Sequence, residues 1–124
     1  MPDNPRTYSP GLPVTGAWRP GDPAGRREFV TITDDRPFVL ECGASLDEVV
    51  MAYERWGTLD DEAANAVLVC HALTGDSHAA GAQSRGHHGA GWWDDVIGPG
   101  RAIDTDTHLV VCINVLGGCQ GSTG

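Results

Sequence analysis

The sequence predicts an α/β fold, strand-rich, in which an antiparallel hairpin leads into parallel central strands. Two continuous apolar runs, AVLVCH at 66–71 and LVVCINV at 109–115, are of the kind buried on both faces in the middle of a parallel sheet. Two shorter β-rich runs precede them, and a long glycine-rich connection separates them.

Residues 1–27 string together Pro2, Pro5, Pro10, Pro13, Pro20 and Pro23 with few apolar groups beyond Leu12, Val14 and Trp18. This composition is expected to form a disordered or loosely docked arm ahead of one domain over 28–124. EFVTIT (28–33) and PFVLEC (37–42) flank Asp34-Asp35-Arg36, which is turn chemistry, so the two runs are expected to pair as a β-hairpin. Over 45–57 the local signals conflict. Ser45 and Glu48 have capping-box spacing, Leu46, Val49, Val50 and Tyr53 fit a helical face, and Gly57 suits a helix stop. Val49, Met51 and Tyr53 fit an alternating strand equally, and residue physics alone leans to helix by a small margin.

The connection at 72–108 holds His78, His87, His88, Trp92 and Trp93 and is longer than a compact domain carries without function. No strongly amphipathic helix follows Gly57, although a parallel pair needs a crossover and its faces need cover. The sheet is therefore expected to be left uncovered and the domain incomplete, the last residues leading onward from an apolar strand.

The chain of 124 residues has room for one domain or part of a larger one. Gly 17 and Pro 8 make it loop-rich, with 40% hydrophobic and 20% charged residues. All 8 basic residues are arginine, and against 17 acidic ones they leave a net charge of -9, which disfavours nucleic acid and anionic membranes as partners. No run approaches the roughly 20 apolar residues of a membrane span, and the first residues lack a secretory pattern, so a cytoplasmic protein is expected. Cys42, Cys70, Cys112 and Cys119 form no C-x-x-C pair, which argues against a zinc or redox motif; three lie in or beside apolar runs, where a thiol behaves as a small hydrophobe.

His71-Ala72-Leu73-Thr74-Gly75 follows the first apolar run, at the carboxyl edge where open α/β sheets place ligands. A small glycine-containing turn there can point backbone N–H groups at a developing oxyanion; equally, His71 can simply end a strand and Gly75 turn the chain. Gly75-Asp76-Ser77-His78-Ala79 approximates G-x-S-x-G, but no strand enters Ser77 directly and no helix leaves it, so Ser77 reads as a polar loop residue. His87-His88 lacks a carboxylate or cysteine at ligand spacing and reads as a solvated loop. Asp94-Asp95 and Asp104-Thr105-Asp106 read as turns rather than cation sites. Cys119 lies outside the apolar runs without a visible activating base.

Four strings, AYERWGTL (52–59), NAVLVCHALTGDSH (65–78), GWWDDVIGPG (91–100) and INVLGGCQGSTG (113–124), resemble in order and spacing those of the homoserine O-acetyltransferase family; serine and homoserine O-succinyltransferases share much of the pattern. The resemblance covers 29–124. It implies the amino-terminal part of an α/β-hydrolase fold, with 48–56 as an antiparallel strand in place of the marginal helix. It implies a ping-pong transfer of acetyl from acetyl-CoA, the co-substrate, to L-homoserine in methionine biosynthesis.

Within that resemblance the backbone N–H of Leu73 helps form the oxyanion hole, and Ala72, Leu73, Thr74 and Gly75 shape the acceptor site. The nucleophilic Ser and the Asp and His that activate it lie beyond the point matching Gly124, so the chain alone is expected to be inactive. A homodimer is implied for the complete family member, with no metal or redox cofactor. The alternatives are a succinyltransferase, an esterase of the same fold using water as acceptor, or an inactive truncated product prone to aggregation through uncovered strands.

Overall fold

A computed structural model of the chain describes residues 16–124. Among the described residues eight strands form in chain order: β1 (Glu28–Thr31), β2 (Phe38–Val39), β3 (Ser45–Leu46), β4 (Val50–Trp56), β5 (Ala66–Val69), β6 (Ile97–Gly98), β7 (Ile103–Asp104) and β8 (Leu109–Ile113). The main sheet has the order β1-β4-β8-β5, antiparallel at β1/β4 and β4/β8 and parallel at β5/β8. The two continuous apolar runs thus pair in parallel, as their composition predicts. Because β5 and β8 run the same way, the turns that follow them share one edge of the sheet.

The expected hairpin between 28–33 and 37–42 does not form. β1 pairs with β4, Glu28 opposite Tyr53 and Thr31 opposite Val50, and the pairing extends through Ile32 N–H to Val49 O at 2.9 Å. β2 pairs instead with β3, Phe38 opposite Leu46. The long strand β4 offers β1 more partners than 37–42 does, and Pro37 brings no N–H to a ladder. Glu28 also gains Arg55, two residues beyond its opposite Tyr53, at 2.9 Å.

β4 settles the conflict over 45–57 in favour of a strand. Alternation, not helical period, matches its surroundings: Ala52 and Glu54 are buried and Arg55 is exposed. Ser45 is a strand residue opposite Val39 rather than a helix cap. Gly57 does adopt a left-handed conformation, with φ 82°, but it ends a strand. A helix stop and a strand-ending glycine look alike in sequence, since both exploit the absence of Cβ.

One face of the sheet is covered, contrary to the sequence expectation, and by the long connection itself. Ala79, Ala80 and Ile97 bury against Val69, Val110 and Cys112, with Trp56, Val67 and Ile103 packed around them. Fully burying a side chain such as Val110 contributes about 1.5–3 kcal/mol. Turns achieve this cover because alanine and glycine let the backbone of 78–81 lie close to Gly91–Trp93, where Gly91 N–H donates to Gly81 O and Trp93 N–H to Ala79 O. The opposite face keeps Val30 and Leu68 exposed, Leu68 by 63%. No helix long and apolar enough to cross a membrane occurs among the described residues.

Residues 1–15 of the expected arm lie outside the described residues, whereas 16–27 are held to the body. Trp18 N–H donates to Cys119 O, its ring packs on Phe29 at 5.2 Å, and Arg26 N–H donates to His87 Nε2. Arg27 is buried, its guanidinium donating to Ala24 O, Gly86 O, Gln120 O and Gln120 Oε1. Charge-assisted bonds to carbonyls replace the apolar contacts that the composition of this segment lacks. All four cysteines are free; only Cys112 is buried, while Cys42, Cys70 and Cys119 are exposed. Burial pushes the Cys112 thiol up to about 12.

The Asp104-Thr105-Asp106 segment forms the expected turn, Asp104 Oδ1 accepting Gly100 N–H at 2.8 Å and Asp106 N–H at 3.0 Å. These donors hold the Asp104 carboxyl below its usual value. A depressed carboxyl contributes stability that is present above its unfolded pKa and is lost as pH falls through the folded one. The stability gap between the wild-type chain and Asp104→Asn, measured by urea unfolding, is therefore expected to be open at pH 7. It should narrow as pH falls below about 4; a gap independent of pH would remove the charge from the explanation.

Candidate functional site

The carboxyl edge of the parallel pair carries the sequence-predicted site. From β5 the chain runs through Cys70 to His71 and turns at Leu73–Thr74, the turn closed by Gly75 N–H donating to Ala72 O at 2.8 Å. His71 joins this turn to the one after β8: its Nδ1–H donates to Ala72 O at 2.7 Å and its Nε2 accepts Val115 N–H at 3.3 Å. Those two bonds fix one tautomer and tie the two strand ends together. His71 is thus more than the end of a strand. A Cβ at Gly75 would sit 3.1 Å from His71 Cβ, closer than ordinary van der Waals contact, so the tight turn favours glycine there.

Ala72, Leu73 and Thr74 are exposed and Gly75 is half-buried. Leu73 is 101% exposed, and its N–H donates to no acceptor among the described residues. Free N–H groups on a small turn at a sheet's carboxyl edge can hold a developing negative charge on oxygen.

Behind the turn lies a buried polar cluster that sequence reasoning missed. Glu54, on the covered face of β4, is 0% exposed. Its Oε1 accepts Ser77 Oγ–H at 3.0 Å and its Oε2 accepts His78 Nδ1–H at 2.9 Å, while His87 Nε2 lies 3.4 Å from Oε1. Asn114, just after β8, accepts Ser77 N–H through Oδ1 at 2.8 Å and donates from Nδ2 to Ser77 Oγ and to Gln120 O. The imidazoles of His78 and His87 stack at 3.7 Å with 8° between their planes. Burial holds the His87 pKa below its ordinary value, against the opposing pull of Glu54. His78 Nε2 and His87 Nδ1 are buried with no hydrogen-bond partner among the described residues.

Ser77 is therefore a polar structural residue. Its hydroxyl is spent on Glu54, it is fully buried, and the adjacent His78 turns to the same carboxylate rather than to Ser77. Of the two adjacent histidines, His88 is exposed, as a solvated loop would have it, but His87 is 3% exposed within the cluster. Asp94 accepts Gly81 N–H at 2.7 Å, and Asp95 is exposed. Cys119 is exposed and contributes its carbonyl to Trp18. The available signal for Glu54 was its position: once 50–56 is a strand, a carboxylate stands in phase with Ala52 and Trp56 on the inward face.

No family model matches the chain. A homoserine O-acetyltransferase of Thermobifida fusca is 57% identical over 116 residues, 94% of this chain and 30% of that protein. One from Leifsonia xyli subsp. xyli is 55% identical over 90% of this chain and 27% of that protein. A homoserine O-succinyltransferase of Halothiobacillus neapolitanus is 57% identical over 71% of this chain and 22% of that protein. Among solved structures, a homoserine O-acetyltransferase from Bacillus anthracis superposes with a TM-score of 0.61 at 39% identity, over 71% of this chain and 22% of that one. The acetyl esterase MekB superposes with a TM-score of 0.62 at 26% identity, over 82% and 25%. The chain spans less than a third of the length of these curated relatives, and its mixed sheet is an amino-terminal part of the α/β-hydrolase fold.

Proposed function

We propose that this chain, whose sequence is that of the amino-terminal part of the homoserine O-acetyltransferase family, supplies the oxyanion-binding edge of an acyltransferase that moves acetyl from acetyl-CoA to L-homoserine. The observation that carries the reading is the turn at 72–75, with the unengaged Leu73 N–H at the carboxyl edge of β5. In such a reaction a serine Oγ attacks the thioester carbonyl, the CoA thiol leaves with a proton, and the homoserine hydroxyl then displaces the serine from the acyl-enzyme. Each attack places negative charge on the carbonyl oxygen, and a positioned N–H stabilises that charge more than it stabilises the neutral carbonyl.

The serine, and the carboxylate and imidazole that activate it, are supplied on this reading from outside residues 1–124. Ala72, Thr74 and Gly75 border the acceptor, and His71 fixes the turn they stand on. The product belongs to methionine biosynthesis. The working enzyme is a cytoplasmic homodimer on this reading and takes no nucleic acid, membrane, metal or redox cofactor as partner in catalysis.

The test places these 124 residues in the Thermobifida fusca enzyme in place of its matching segment. The chain alone is expected to release no CoA, and the chimera to release it only when homoserine is present. Leu73→Pro, which removes the N–H, should lower kcat of the chimera by about 10²–10³-fold, while Leu73→Ala, which keeps it, should change kcat far less. Equal losses in both variants would remove the N–H from the mechanism. Fold similarity to an acetyl esterase favours a second reading, hydrolysis with water as acceptor; CoA release indifferent to homoserine would establish it over the first.

A further inference from the structure

The cluster of Glu54, His78 and His87 has no part in the oxyanion edge, and its hydrogen bonding does not close. His87 Nε2 accepts Arg26 N–H at 3.0 Å, so that nitrogen carries a lone pair and no proton. Glu54 Oε1, 3.4 Å away, is also an acceptor. Two electron-rich atoms therefore face each other in a site where Glu54 is 0%, His78 4% and His87 3% exposed. Water cannot screen that contact, and a positive charge between them would resolve it.

We propose that Glu54, His78 and His87 form a binding site for a zinc-class divalent cation, with the Glu54 carboxylate, His78 Nδ1 and His87 Nε2 as its ligands. One ligand atom from each residue can be chosen so that all lie within 4.8 Å of one another. Around an ion bound at about 2.0–2.1 Å in tetrahedral geometry, neighbouring ligands stand roughly 3.3 Å apart. The Glu54 carboxylate already reaches both imidazoles, Oε2 lying 2.9 Å from His78 Nδ1 and Oε1 3.4 Å from His87 Nε2, so small shifts would bring the three groups to that spacing. Two imidazoles and one carboxylate suit zinc or cobalt rather than calcium or magnesium, which prefer all-oxygen sets.

The surroundings are those of a held ligand. Ser77 Oγ–H fixes Glu54 Oε1, and Asn114 Nδ2 fixes Ser77 Oγ in turn, so the carboxylate is oriented from β8 through two hydrogen bonds. The three ligands come from β4, from the segment after β5 and from the 83–88 loop, so one ion would cross-link parts of the chain far apart in sequence and add to folding stability. Loading has a structural cost that is itself a signature. His78 gives up its Nδ1 proton, Arg26 N–H loses its acceptor, and the two rings leave their 3.7 Å stack so that both lone pairs converge on the ion.

The test is a cobalt titration of the 124-residue chain, stripped with chelator, at neutral pH. The expected result is one equivalent bound, with the visible absorption of a nitrogen- and oxygen-ligated ion, no thiolate-to-cobalt charge-transfer band, and displacement by zinc. Zinc should raise the thermal midpoint by several degrees; an ion that prefers the unfolded chain's cysteines and histidines would lower it. His87→Gln should abolish stoichiometric binding and His88→Gln should leave it intact. Glu54→Gln should behave as His87→Gln does, and if it fails to fold the histidine pair of variants still decides. Absence of stoichiometric binding, a thiolate band, or binding that survives His87→Gln would overturn the site. None of these readouts depends on acyl transfer.

Discussion

Glu54→Leu is expected to destabilise the chain by about 2–6 kcal/mol, the cost of leaving two buried donors without their acceptor. Two polar groups lose their acceptor together: the Ser77 hydroxyl and His78 Nδ1–H. Neither can turn to solvent, since both residues are buried. Each orphaned buried group costs about 1–3 kcal/mol, against an apolar gain on the same strand of comparable size to one of them. A domain of this size holds about 5–15 kcal/mol in total, so the variant should be largely unfolded at moderate urea where the wild type is folded. Circular dichroism across a urea series reads the difference. A loss below about 1 kcal/mol would mean that water reaches the cluster and that Glu54 is not its organising group. Double-mutant cycles with Ser77→Ala should show coupling, because the two side chains share one hydrogen bond.

Gly57→Ala is the second large effect, expected at about 2–5 kcal/mol. With φ at 82°, alanine incurs the left-handed penalty of about 1–2 kcal/mol. Its Cβ would collide with His108 O and stand 2.7 Å from Thr105 O, both backbone atoms of the chain entering β8, so relief requires moving the approach to the central strand. Overpacking of that kind adds about 1–3 kcal/mol. Gly43→Ala separates the two contributions, because Gly43 has φ 84° with nothing within 4 Å of an added Cβ. Gly43→Ala should lose only the conformational part, measured as a smaller shift of the unfolding midpoint. Equal shifts in the two variants would show that the β4–β8 junction yields to a methyl group.

Parallel pairing of 66–71 with 109–115 was legible because continuous apolar runs of valine, leucine and isoleucine have few stable environments other than a sheet interior. The carboxyl-edge turn at 71–75 was legible for the same reason: a glycine-containing turn leaving such a strand can only stand at the sheet's edge. Local ambiguity hid the rest. Val49 and Tyr53 satisfy both periods, and the strand emerges because β1 and β8 flank 50–56 on both sides with unpaired backbone groups. The failed hairpin at 28–42 has the same origin, since turn chemistry at Asp34–Arg36 permits a hairpin but a seven-residue neighbour outcompetes a two-residue one.

By itself, the sequence determined the strand-rich α/β class, the parallel pair, the location of the carboxyl-edge turn and the likeness to the acyltransferase family, all of which reside in contiguous strings. Only the tertiary structure decided the partner of β1, the cover that 76–104 lays over one face, and the meeting of Glu54, His78 and His87. A single chain segment carries its own apolar period and turn residues, whereas a buried carboxylate acquires its partners from wherever the fold closes around it. Spacing along the chain holds no record of that closure, because the desolvation that makes such a contact consequential exists only once the surrounding segments have excluded water.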